Sequence, residues 1–575
     1  MKAYLVIAAL LVAIAVAVWW RWRQPGGPAL PRHRARHLRM RLHLRRRPGR
    51  GFASGFELWL RWGRFAAFRQ SRRARPSLSA WQRTRHPLEH SVLVGRAHHF
   101  RRVRLPVEEH ALILAPPRTG KTALLASVIL HYPGAVVSTT TKADVFALTS
   151  GVRQLAGPVH VFNPQGVGDV LSTFRWNFVD GCQAPAVAIR RADAITGAVD
   201  MSATEDGNFW SNKAGSYLRA IFHAAALASG DARMVTRWAL GSTLDAEEIL
   251  AASGASQWAT ELGELRGEAQ KTAATVRMVL SRALAFMTDP ALAASVLPVP
   301  GGSLDIDAFL TARGTLYMIA DAQSGESPLA PLFAALANEM HWHAAQLGSR
   351  MPGGRMDPPL LMALDEIVQV CPVPLDIWAP DSGGKGIQLV SVAHGEAQLA
   401  GRWHEHGKQV ILDTASAMIV LPGVTDTGTL EMASRLSGQV PYRERGHDGE
   451  TRHDVLTPDM IRRLPPGFGL IIRGGHSPVI AKLARGWRER AYRQARRHGR
   501  EIARLIPAAA PLALADPAPD AAPAAAAGAL APIARLRPVR DVGAEAADVL
   551  APGSAPDADM IPARPPSYPW GGGPA

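Results

Sequence analysis

The chain has 575 residues, room for about four domains of ordinary size, fewer where the ends are tails. Lys and Arg exceed Asp and Glu by 65 − 48 = 17, yet residues 21–105 hold 23 Arg against only Glu57 and Glu89. The remainder is therefore slightly acidic, which excludes a uniformly basic DNA-coating protein, and two cysteines far apart, Cys182 and Cys371, exclude a disulfide scaffold.

Residues Ala3–Trp20 are 18 consecutive uncharged residues, a run just long enough to span a hydrocarbon layer. We read a single transmembrane helix, because Trp19-Trp20-Arg21-Trp22-Arg23 stands where a cleaved signal peptide needs small residues. The 11 Arg between Arg21 and Arg50 bias this flank to the cytoplasm and can contact anionic lipid head groups. The expectation is a single-pass protein of the cytoplasmic membrane with most of its chain in the cytosol: anchor 1–23, basic juxtamembrane segment 24–104. A nucleic-acid contact is the sharper alternative for the same arginines. Phe56–Phe68 sets Leu, Trp and Phe among Arg, as an amphipathic helix on a membrane or partner would, or a helix packed on the body.

The body opens with Ala111–Ala115, an apolar run of strand length, then Pro116–Thr122 and an apolar helical stretch, Ala123–Leu130. Strand, loop and helix are the setting a phosphate loop requires, and the spacing fits GxxxxGK[ST] with Ala115 in place of the first Gly. Pro117, Arg118, Thr119, Gly120, Lys121, Thr122 and Ala123 are the expected nucleotide-binding set: backbone N–H groups cradle the phosphates of ATP, Lys121 reaches the β/γ oxygens, and the Thr122 hydroxyl faces Mg²⁺. The Ala matters little if position 115 is still strand-like, and matters if it needs a positive φ.

Leu360–Leu364 reads as a strand buried on both faces, and the two carboxylates at its tip, Asp365 and Glu366, are costly there without a task. Asp365 is expected to hold Mg²⁺ through water and Glu366 to activate the attacking water. A further strand, Gly386–His394, leads to Gln398, whose amide is placed to sense the γ-phosphate. Val410–Asp413 and Ala417–Leu421 are candidate fourth and fifth strands. Strands alternating with helical patterns indicate an α/β fold, a parallel sheet with helices on both faces.

The order of Ala115–Thr122, Pro133–Asp144, Val161–Pro164, Asn208–Trp210, Leu364–Glu366, Gln398-Leu399 and Leu470–Gly475 resembles the TraG/TraD coupling proteins of conjugation and type IV secretion, over roughly residues 105–490. The resemblance implies a membrane-anchored homo-hexameric ATPase that brings a relaxase with its single-stranded DNA to the secretion channel. It implies a RecA-like nucleotide domain at 105–180 and 301–505 and an all-α insertion at 181–300, where Ala192–Val199, Tyr217–Ala225 and Thr275–Leu284 have helical spacing. The chain departs from the family in having His394-Gly395 where Gln-Ser is common, and Lys385 where an Arg tends to precede the third strand; Lys385 is the nearest cation for a finger acting across a subunit boundary. Only one membrane helix is evident where the family usually has two.

From about Ile506 the chain turns to Ala, Pro and Asp, and we expect a disordered tail, 506–575. His341-Trp342-His343 has the spacing of a relaxase metal site but sits in a helical pattern, so we read an ordinary helix surface. His404 and His406 lack further ligands nearby, and Gly475-His476-Ser477 lacks the context of a serine nucleophile. Two rival functions remain: an FtsK-like pump for double-stranded DNA, disfavoured because the tail is too rich in Ala and Pro for a winged-helix reader, and a non-catalytic membrane scaffold with a degenerate site.

Overall fold

The computed structural model describes residues 51–494, apart from 202–203, 205, 268–269, 300–302, 323–326, 444–449 and 491. The expected anchor at 1–23, the arginines up to residue 50 and the expected tail lie outside the described residues. Among the described residues no helix is long and apolar enough to cross a membrane.

The described residues form thirteen strands in chain order: β1 (Ser91–Arg96), β2 (Arg102–Pro106), β3 (Ala111–Leu114), β4 (Val136–Thr140), β5 (Val159–Phe162), β6 (Thr315–Ile319), β7 (Leu360–Leu364), β8 (Ile387–Ala393), β9 (Ala417–Val420), β10 (Gln439–Arg443), β11 (Glu450–Asp454), β12 (Phe468–Arg473) and β13 (Val479–Leu483). Eleven of them make one sheet in the order β2-β1-β13-β12-β9-β3-β8-β7-β4-β6-β5, and β10 and β11 pair separately. From β9 to β5 every pairing is parallel. From β9 through β12, β13 and β1 to β2 every pairing is antiparallel. The expected parallel sheet is thus extended at one edge by four antiparallel strands, and the fold is α/β with a mostly parallel sheet.

The parallel strands read as unbroken apolar runs because both faces are covered. Successive side chains point to opposite faces, and two cores result. Leu112 and Leu114 of β3, with Leu360, Met362 and Leu364 of β7, enter one core. Ala111, Ile113, Leu361 and Ala363 enter the other, together with Leu124, Leu125 and Val128 of the helix Lys121–Leu130.

The long excursion between β5 and β6 is helical: Pro185–Gly197, Gly207–Leu227, Ala232–Leu240, Leu244–Ala252, Ser256–Gly267 and Gln270–Ala283. Ala214, Tyr217, Leu218, Ile221, Phe222 and Ala225 recur at helical spacing and are buried, so Gly207–Leu227 is the hub of this group. These helices share one continuous core with the sheet. Arg190 and Arg191 fasten them to the helix Ala330–Ser349 by pairing with the fully buried Glu339 at 2.7 and 3.1 Å.

Two expectations need correction. Val410–Asp413 is not a strand but lies in the helical stretch that follows a break at His404 and ends at Thr414; of its apolar residues only Ile411 is buried. A short apolar run does not distinguish the two periods. His341 is not on a helix surface: it is buried, its ring stacked 4.2 Å from that of Trp378 and its Nε2 2.8 Å from Ser382 Oγ. The Phe56–Phe68 stretch divides its residues, Leu58, Trp62 and Ala67 buried on the body and Phe56, Trp59, Phe65 and Phe68 exposed.

Candidate nucleotide site

In a parallel sheet the connections that leave the C-terminal ends of the strands gather on one edge, and ligands bind there. Here β8 lies between β3 and β7, so the tips of all three strands are neighbours. The first carries the Lys121 loop, the second His394, the third Asp365 and Glu366.

The loop after β3 stays strand-like for one more residue, since Ala115 N–H donates to Ala393 O at 2.9 Å. Ala115 is thus in a conformation that tolerates a Cβ, and the missing first glycine costs the loop nothing there. The chain then turns through Arg118 at φ +61° and Gly120 at φ +97°. A side chain at Gly120 would meet nothing within 4 Å, so the centre of the loop is open. Thr119 Oγ1 donates to Pro116 O at 2.7 Å and braces the turn. The helix Lys121–Leu130 begins immediately afterwards, which aims its unsatisfied N–H groups and positive dipole end at the opening. Pro117 and Arg118 are exposed, Thr119 and Thr122 half-buried, and Ala123 is buried against the sheet.

Lys121 is buried, and its Nζ contacts Glu366 Oε1 and lies 3.9 Å from Asp365 Oδ1. A cation and two carboxylates drawn from residues 121, 365 and 366 thus meet across the sheet tip. Burial pushes the Asp365 carboxyl up to about 6, with the Lys121 ammonium pulling against it and the Glu366 charge adding to the rise. Asp365 is anchored by its backbone: its N–H donates to Thr139 O at 3.3 Å and its carbonyl accepts from Thr139 Oγ1 at 3.1 Å. Glu366 sits at φ +49°, a left-handed conformation that costs a non-glycine residue free energy and that gathers at functional positions. The donors fit Mg²⁺: the Thr122 hydroxyl and the Asp365 carboxylate are hard oxygens, and Mg²⁺ keeps waters for its other positions.

Gln398 is near but differently engaged. Its Oε1 accepts the His394 N–H at 2.8 Å, so it braces the end of β8 and touches neither Lys121 nor Glu366. Lys385 is not brought to the site within the chain. It precedes β8, at the opposite end of that strand, where it pairs with Asp381. What residue-by-residue reading missed is His394, whose Nε2 lies 3.1 Å from Glu366 Oε2 and whose Nδ1 lies 3.1 Å from Ala115 O. The one signal available was that this position departs from the family pattern.

The chain matches the family described as type IV secretory system conjugative DNA transfer across residues 77–493. Among solved structures it is similar to the bacterial conjugative coupling protein TrwBΔN70 in its unbound monoclinic form, at 19% identity and TM-score 0.52 over 68% of this chain and 89% of that one. The plasmid coupling protein TrwB with the non-hydrolysable GTP analogue GDPNP is similar at 18% identity and TM-score 0.50, covering 68% of this chain and 90% of that one. TrwB with ADP and Mg²⁺ matches at 18% identity and TM-score 0.50, covering 66% and 87%. No curated protein sequence matches at a significant level. At such identities the likeness to TrwB is one of fold.

Proposed function

The chain belongs to the type IV secretory system conjugative DNA-transfer family, and from that premise we propose that it is a membrane-anchored coupling ATPase. In this reading it is a homo-hexamer that recruits a relaxase with its DNA and drives the single strand into a type IV secretion channel. The observation that carries the catalytic part is the meeting of Lys121 with Glu366 and Asp365 at adjoining strand tips. The helix-start amides and Lys121 hold the β- and γ-phosphates of ATP. Thr122 and Asp365 hold Mg²⁺, which neutralises charge on the phosphates when bound. Glu366 takes the proton of the water whose oxygen attacks the γ-phosphorus, and the bond to the bridging oxygen of ADP breaks. Nucleotide complexes of TrwB, one with ADP and Mg²⁺, support this ligand set. Membership of a conjugative DNA-transfer family favours this reading over the double-stranded DNA pump. The scaffold reading rested on Ala115, which is strand-paired.

Lys121→Ala tests the reading in the full-length chain in detergent. The buried ammonium gone, ATP binding and hydrolysis should both fall, turnover by about 100-fold or more. Hydrolysis at the wild-type rate would remove Lys121 from the site and the site from the account.

A further inference from the structure

The carboxylate of Glu366 is shared unequally. Oε1 contacts Lys121 Nζ, while Oε2 is buried without a well-aligned hydrogen bond. His394 Nε2 lies 3.1 Å from Oε2 but off the line that a good hydrogen bond needs. The imidazole is itself held in place. Its Nδ1 faces Ala115 O at 3.1 Å, its backbone N–H is fixed by Gln398 Oε1 at 2.8 Å, and the residue before it accepts the Ala115 N–H at 2.9 Å. His394 therefore stands on the tip of the middle strand and bridges the root of the phosphate loop to the carboxylate on the third.

Lys121 cannot serve Glu366 and the phosphates of a bound nucleotide equally. An ATP that draws the ammonium to its β/γ oxygens takes away the partner of Oε1, and a buried carboxylate left unpaired is strongly disfavoured. The only other described group within ion-pair distance of that carboxylate is His394.

We propose that His394 is the positioning residue of Glu366: when nucleotide captures Lys121, the imidazolium, its Nδ1–H on Ala115 O, aligns its Nε2–H with Oε2 and holds the carboxylate so that Oε1 is turned to the attacking water. The exchange makes the Lys121–Glu366 contact a resting arrangement and the His394–Glu366 contact the working one. This inference rests on the reading of Glu366 as the base. Because the bridge is to the loop root as well, the imidazole also transmits any shift of the phosphate loop to the base.

The test uses the full-length protein with ATP and a non-hydrolysable ATP analogue. His394→Ala should lower turnover about tenfold or more, since a misplaced base loses rate steeply, while KM for ATP and affinity for the analogue stay within about twofold of wild type. His394→Gln, whose amide nitrogen can donate from nearly the same place, should restore most of the turnover. In a Glu366→Gln background, His394→Ala should bring no further loss. Wild-type turnover in His394→Ala, a parallel loss of analogue binding, or an additive loss in the Glu366→Gln background would each overturn the inference. A wild-type chain that hydrolyses no ATP would instead sink the reading beneath it, and this inference with it.

Discussion

Glu366 and His110 show how single residues are held at a cost that the surrounding strands supply. Glu366 keeps a left-handed backbone at the end of β7 so that its side chain turns back over Lys121. His110, in the turn that leads into β3, is buried, and its Nδ1 accepts the Leu389 N–H at 3.1 Å, which requires that nitrogen to be unprotonated. Burial lowers this imidazole to about 4. As pH falls below the ordinary value of about 6.5 the unfolded chain takes up the proton first, so stability declines from there and the decline flattens below about 4. Stability is thus fully present above about 6.5, and His110 contributes about 3 kcal/mol to the loss on acidification. His110→Asn keeps an acceptor and does not titrate, so its thermal midpoint should fall less between pH 6.5 and pH 4 than that of the wild type. Identical pH slopes would contradict the assignment.

At the scale of elements, the helix Asp144–Arg153 is joined to the sheet by its last residue. The Arg153 guanidinium is almost fully buried, donating to Thr315 Oγ1 at 2.7 Å, Tyr132 O at 2.7 Å, Gly134 O at 2.8 Å and Arg313 O at 3.2 Å. None of these partners is a carboxylate, and burial brings the guanidinium down to about 10. The residue therefore closes the start of β4 and β6 by satisfying carbonyls that no strand partner reaches. Arg153→Met leaves three backbone oxygens without this donor and should destabilise the fold by about 3 kcal/mol or more. Arg153→Lys should recover only part, because one ammonium lacks the planar fork. A thermal midpoint unchanged in Arg153→Met would show that water or a neighbour replaces the guanidinium. Nothing in the local sequence marks this Arg, since its partners come from two distant stretches of the chain, Tyr132–Gly134 and Arg313–Thr315. The phosphate loop and the Asp365-Glu366 pair were legible because each is contiguous and has a strand immediately before it. His394 was not, because its contact with Glu366 exists only once β8 is inserted between β3 and β7. Val410–Asp413 misled for the opposite reason, a run of three apolar residues being compatible with either period.

At the scale of the molecule, four of the parallel strands, β3, β7, β8 and β9, were legible as apolar runs, while β4, β5, β6 and the antiparallel edge were not. That edge joins β1 and β2 to β12 and β13 from the far end of the body, a pairing between segments nearly 400 residues apart that no short-range pattern announces. It brings the residues after the expected anchor against the residues before the expected tail: Arg473 pairs with Glu109 and donates to Arg61 O at 2.6 Å. The described end of the expected juxtamembrane segment, with β1 and most of β2, is therefore built into the same sheet that carries the nucleotide site. The claim that joins site to function is that Glu366 chemistry powers DNA transfer. Glu366→Gln keeps volume and hydrogen bonding while removing the base, so the chain should still bind nucleotide and dock its cargo. The deciding measurement is a mating assay between donors carrying wild type and Glu366→Gln at equal protein level in the membrane. The account predicts that donor activity is lost with the variant, and undiminished transfer would contradict it.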